Sequence, residues 1–178
     1  GADPEFGLVD SFGRLIRGDK VLPKTGKFGS DGPGVEVRPD PSRNTPQVVE
    51  NIRLLLDQAP DKARPYNWIG GATYKSPDRV YWFGGHIHFG RPAQIASSMA
   101  ESCFYQIASV LDDFISLPLV RLDKPNANLR RKGCLHGYGM ANTEDSIRAD
   151  YDTQVTRFEY RVPSGIWLVH PTMARAVL

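Results

Sequence analysis

The chain has 178 residues, which sets one well-packed domain, residues 1–178, as the expected organisation and leaves little room for two. Aliphatic and aromatic residues make up 40% and charged residues 24%, the balance of a chain that folds and not of a disordered one. The net charge of +2 comes from scattered lysines and arginines, so it leaves no clustered footprint for nucleic acid, and no apolar run approaches the roughly 20 residues that cross a bilayer.

Along the chain, PEFGLVD, SFG and RLI form alternating apolar residues around a short turn at Gly13, which predicts an N-terminal hairpin. KTGKFGSDGPG, from Lys24 to Gly34, has the composition of a loop, and VEVRPDP after it reads as a short strand ended by Pro39 and Pro41. TPQVVENIRLLLDQA predicts a helix with Thr45 as N-cap, Pro46 at the first helical position and Val48, Val49, Ile52, Leu55 and Leu56 on one face. Aromatic and β-branched residues predict a strand over Val80 to Phe89, centred on GGHIHFG. Ile95, Met99, Cys103, Ile107, Val110, Leu111 and Phe114 recur at three- and four-residue spacing, predicting a long amphipathic helix that stops near Pro118. The stretch from Asn126 to Asn142 is basic and then glycine-rich, and TRFEYRVPSGIWL returns to strand character.

This order predicts an α+β fold, a mostly antiparallel sheet with helices on one face and the other face left to hold a site. Cys103 and Cys134 form no CxxC pair and no disulfide framework, so two reduced thiols in a cytoplasmic protein are expected. GADPEF at the start is compatible with a vector-derived scar, and TMARAVL breaks off where a helix would begin, so a domain trimmed at both ends is expected.

Two of the four histidines stand one residue apart in HIHFG. Residues two apart in a strand point to the same side, so His86 pairs with His88, Glu36 with Arg38, Glu159 with Arg161, and Asp3 with Glu5. Each doublet alone also fits an ordinary role, as a cross-strand ion pair or as histidines bonded within a sheet. Four strands with such doublets point to one polar cavity, because a charge on a buried sheet face costs several kcal/mol, roughly, unless it is paired. Carboxylates and imidazole suit magnesium or manganese, and arginines beside them suit phosphate. HExxH, a P-loop and GxSxG are all absent, and no carboxylate follows His88 at the spacing a cupin-like metal site needs. Cys134 and His136 stand close together, but a catalytic pair is not the expected reading.

Together GADPEF, DGPGVEVRP, GGHIHFG and FEYRVPSGIWL, in this order from Gly1 to Leu168, resemble the phage-type carboxylate-amine ligases, amidoligases of the glutamine synthetase superfamily. The resemblance implies a curved, mostly antiparallel sheet like the glutamine synthetase catalytic domain, with its site on the concave face. It implies an enzyme that uses ATP and Mg2+ or Mn2+ to phosphorylate a carboxylate, which an amine then attacks to form an amide. By the same resemblance Asp3, with Asp in place of the more usual Glu, and Glu5, Glu36, His86 and Glu159 are metal ligands. His88 faces nucleotide phosphate, Arg161 the transferred phosphoryl group and Arg38 phosphate or the substrate carboxylate, while Arg130 and Arg131 match basic residues near the phosphates. For Arg130 and Arg131 an ordinary solvated pair is an equal alternative. KTGKFGSDGPG is either a lid that keeps water from the acyl phosphate or an ordinary loop.

The expected partners are a small-molecule or peptide carboxylate and an amine, with no nucleic acid and no membrane, in the cytoplasm of a bacterium or phage-infected host. Oligomeric state, a homo-oligomer included, is left open. Two other functions share the site: a phosphotransferase, and a nucleotide- or peptide-binding module that kept the sheet and lost turnover.

Overall fold

The computed structural model describes residues 1–77, 79–90, 94, 103, 106–123 and 157–178. They belong to two compact units, one of Gly1–Gly85 with Ser164–Leu178 and one of His86–Pro163.

In the first unit β1 (Ala2–Val9) turns back through Gly13, at φ 76°, into β2 (Leu15–Ile16), with Leu8 opposite Ile16. Asp10 closes this turn by accepting from the backbone N–H groups of Phe12 and Arg14, each at 2.9 Å. A single helical turn, α1 (Gly18–Val21), follows. It packs on the hairpin of β3 (Phe28–Asp31) and β4 (Gly34–Val37) through N–H groups of Gly18 and Asp19, which donate to the carbonyls of Pro33 and Gly32. A Cβ on Gly18 would lie 2.3 Å from the Gly34 carbonyl oxygen, so this approach requires glycine.

The segment read as a loop therefore holds a strand, β3. Gly32, at φ 56°, and Pro33 form the two-residue connection, with glycine at the first central position as such hairpins favour. Composition hid this strand because its stability comes from pairing with β4 and not from β-forming side chains.

The helix α2 (Thr45–Leu56) starts one residue earlier than expected, with Asn44 at the N-cap and Pro46 in the first turn. It buries Val48 and Ile52 and packs against α4 (Pro171–Val177). Next come β5 (Asn67–Ile69), which pairs with β1, and a separate ribbon of β6 (Thr73–Lys75) and β7 (Val80–Trp82). β8 (Gly85–Gly90) begins after a break at Phe83 and Gly84, so the strand expected over Val80 to Phe89 is two strands.

Alternation in β1 and β4 separates two faces. Phe6, Leu8, Val35 and Val37 point into a core completed by Leu22 and Ala63, where each apolar side chain of this size contributes about 1.5–3 kcal/mol by leaving water. Trp68 closes the core edge-on against Phe6 and Phe28, at centroid distances of 5.8 and 6.1 Å. Asp3, Glu5 and Glu36 occupy the opposite face. The segment Ser164–Val169 of the same unit is held by bridges from Gly71 to Gly165 and from Gly84 to Ser164, and ends in a 3-10 turn, Ile166–Val169.

In the second unit β8 pairs antiparallel with β9 (Arg157–Tyr160), with Ile87 opposite Tyr160 and His88 opposite Glu159. Residues 106–111 are helical, the helix widens into a π turn at Asp112–Ser116, and α3 (Leu117–Leu122) continues beyond it. The expected stop at Pro118 is not observed. Proline has no N–H to return to the preceding turn, and the chain accommodates this with Pro118 in the first turn of α3, just after the π segment. The start of the predicted helix, with Ile95 and Met99, and the basic, glycine-rich stretch from Asn126 to Asn142 lie outside the described residues.

Both units combine strands and helices, and every pairing described within them is antiparallel. No helix among the described residues is long and apolar enough to cross a membrane.

Candidate functional site

In the first unit the register of β1 and β4 sets Glu5 directly opposite Glu36, with Asp3 two residues along on the same face. Two facing carboxylates repel, and each is drawn to a different partner. The Glu5 carboxylate is buried and accepts from the Gly84 N–H at 2.6 Å, while the Glu5 N–H donates to the Gly84 carbonyl at 3.1 Å. Glu36 is gripped by Arg38, whose Nε donates to Oε1 at 3.0 Å and whose Nη2 donates to Oε2. Burial first, and the negative charge of Asp3 second, push the Glu36 carboxyl up to about 6 from its ordinary 4.5, against the pull of Arg38.

Arg38 also reaches back along the chain. Its Nη1 donates to the Gly26 carbonyl at 2.9 Å and its Nη2 to the Lys24 carbonyl at 3.2 Å. A guanidinium has five N–H groups, and these four bonds leave one for any other partner. Room for the fork exists because Gly29, across from Glu36, has no side chain: a Cβ there would lie 2.0 Å from Arg38 Nη1. Neither the Gly84 contact nor the role of Gly29 was anticipated. The signals for them were the paired glycines of GGHIH and a glycine at the position of β3 that faces Glu36.

In the second unit Glu159 is almost fully buried, at 1% exposure, and its Oε1 lies 3.5 Å from His86 Nδ1 and 3.6 Å from Arg161 Nε. His88, opposite Glu159 in the register, brings a ring nitrogen within 4.8 Å of a carboxylate oxygen of Glu159. Alternation turns Tyr160 to the other side, where its hydroxyl donates to Asp112 Oδ1 and meets Ser116 Oγ at 2.5 Å. Asp112 and Ser116 are the ends of the π turn, so a fully buried tyrosine ties β9 to the helix. This network was not foreseen, since the FEYR pattern drew attention only to its charged side. Arg130, Arg131, Cys134 and His136 lie outside the described residues.

A family described as phage phiEco32-like COOH.NH2 ligase, type 2, matches residues 1–178. The chain belongs to this family. The reaction class of this ligase family joins a carboxylate to an amine, and the match covers all the doublet-bearing strands. Neither the curated proteins nor the solved structures contain a significant match to the ligase chain.

The donor set fits a divalent cation. Asp3, Glu5 and Glu36 offer hard carboxylate oxygens on one face, and the Glu36 carboxyl is pushed up first by burial and second by the charge of Asp3, which a bound cation would offset. His86, His88 and Glu159 offer two imidazoles and a carboxylate, which suit magnesium less well than manganese on the imidazole side.

Proposed function

We propose that the chain is an ATP-dependent carboxylate-amine ligase that forms an amide through an acyl phosphate, on a sheet of the glutamine synthetase type. The observation that supports it best is the collection of Asp3, Glu5 and Glu36 on the face opposite the core, with Glu36 held near pKa 6. A fold does not gather one buried and two half-buried carboxylates on one face for packing alone.

In the proposed reaction a carboxylate oxygen attacks the γ-phosphorus of ATP, the bond to the bridging β-phosphate oxygen breaks, and ADP leaves. The amine nitrogen then attacks the acyl carbon, phosphate departs with the former carboxylate oxygen, and the nitrogen gives up a proton. No enzyme nucleophile is required. Asp3, Glu5 and Glu36 in the first unit, and His86 and Glu159 in the second, would each serve as ligands for Mg2+ or Mn2+, which would offset the charge of the triphosphate and the incoming carboxylate.

The protein's own task is positioning and charge. Arg161, beside Glu159, presents its guanidinium to the transferred phosphoryl group, and His88 presents a ring N–H to nucleotide phosphate. Arg38 fixes the orientation of Glu36 and keeps one N–H for the substrate carboxylate. The backbone N–H of Gly84 fixes the orientation of Glu5. Arg130 and Arg131 add positive charge near the phosphates in this reading.

Calorimetric titration of ATP with magnesium into the protein and into His86→Ala tests the proposal. Metal-dependent micromolar binding, weakened at least tenfold in the variant, is expected. Equal binding by both proteins, or none by the folded wild type, overturns the assignment of the site.

A further inference from the structure

A second feature of the first unit lies apart from the carboxylate face. Between α1, the segment Pro23–Phe28 and the chain around Pro60 is an open cleft of about 610 Å³. That volume is within the roughly 300–1,000 Å³ usual for ligand sites. Its floor is apolar, formed by Leu22 and Phe28, which belong to or pack on the core, and by Pro23 and Pro60.

Its rim is basic. Lys20, Lys27 and Lys62 come from three separate segments, and Thr25 adds a hydroxyl. The one acid lining the cleft, Asp19, is already paired with Arg17 at 2.5 Å. Lys27 is engaged by the exposed Asp40, whereas Lys20 and Lys62 form no ion pair within the described residues.

We propose that this cleft binds an acidic peptide segment, the carboxylate-bearing substrate of the ligase, at a distance from the bond being formed. The proposal rests on the ligase reading for its substrate, and on the cleft alone for its chemistry. Ammonium groups spread over three segments suit several carboxylates along an extended chain. A compact phosphate is better served by a bidentate arginine fork or converging backbone N–H groups, and no arginine lines the cleft. The apolar floor gives the methylene stems and backbone of such a peptide a surface to cover.

The cleft is also linked to the carboxylate face. Lys24 and Gly26, the residues whose carbonyls Arg38 holds, belong to the segment that forms one wall. Arg38 thus grips Glu36 with one edge and fixes the wall with the other, so Arg38→Met is expected to weaken peptide binding without removing a rim charge.

Fluorescence anisotropy of a fluorescein-labelled hexaglutamate peptide, titrated with the full chain, provides the test. Saturable binding that weakens as salt rises, falls at least tenfold in Lys20→Glu/Lys62→Glu and is unchanged in His86→Ala is the expected result. Equal affinity of the wild type and the double variant, equal affinity for labelled hexaglutamine, or tighter binding of a labelled six-nucleotide single strand overturns the proposal. Peptide binding without any ATP-dependent product would sink the ligase reading and leave the cleft standing. ATP-dependent amide formation by a chain that does not bind the peptide would do the reverse.

Discussion

Glu5 and Glu36 face each other across β1 and β4, yet their carboxylates are held by opposite means, one by the backbone N–H of Gly84 and one by the guanidinium of Arg38. Arg38 offsets part of the charge of Glu36. The balance at Glu36 is therefore set by burial, Asp3 and Arg38, and each is separately testable.

Asp3→Asn is expected to lower the Glu36 pKa from about 6 toward 4.5, and Arg38→Met to raise it, in a carbon-13 NMR titration of the Glu36 carboxyl. Between those two values the folded chain holds more protons on Glu36 than the unfolded chain does. Its contribution is therefore fully favourable below about 4.5 and lost as the pH rises through about 6. Urea unfolding at pH 4 and pH 7.5 should show a smaller loss in Asp3→Asn than in the wild type. An unchanged Glu36 titration in both variants would contradict the arrangement.

Gly29→Ala is expected to act on the same group without removing any charge. The new Cβ would force Arg38 Nη1 away, and because the obstacle is the end of a flexible side chain, the stability loss should stay near 1 kcal/mol, roughly. The Glu36 pKa should rise as in Arg38→Met. Normal titration of Glu36 in Gly29→Ala would show that the fork is not seated over this glycine.

Tyr160→Phe should destabilise the protein by about 1–3 kcal/mol in urea unfolding, since it leaves the buried carboxylate of Asp112 without the hydroxyl that donates to it. Ser116→Ala removes one bond to the same hydroxyl and should cost less. The reverse order would mean that Asp112 is satisfied in another way.

Gly85→Ala should cost about 3 kcal/mol, at the upper end of overpacking, because its Cβ would lie 2.2 Å from Trp167 Nε1 and 2.7 Å from the Ser164 carbonyl oxygen. Trp167 is fully buried and donates to the Gly85 carbonyl at 3.1 Å, so the indole has nowhere to move. Gly90→Ala, in the same strand, meets nothing within 4 Å and should change stability by less than about 0.5 kcal/mol. Equal unfolding midpoints for the two variants would refute the packing assigned to Gly85.

The sequence was most legible where local chemistry decides structure. The turn at Gly13, the helix with Pro46 in its first turn and the strand ended by Pro39 were all readable, because glycine, proline and helical periodicity act within a few residues. β3 and the continuation of the helix past Pro118 were not, because pairing with β4 and the π turn are tertiary solutions. Alternation correctly assigned Asp3 and Glu5 to one side and Glu159 and Arg161 to one side. It could not show that Glu5 faces Glu36, or that Arg38 spends four N–H groups on Glu36, Lys24 and Gly26, since register and long side-chain contacts are set by distant parts of the chain.

The central claim is that ATP activates a carboxylate here, and trapping with hydroxylamine tests it most directly. The protein would be incubated with ATP, magnesium, hydroxylamine and a panel of amino acids, dicarboxylates and glutamate-rich peptides, with Glu159→Gln as control. Equal amounts of ADP and hydroxamate from at least one carboxylate, absent from a folded Glu159→Gln variant, are predicted. ADP without hydroxamate across the panel, or neither product from a folded protein that binds ATP, would contradict the account.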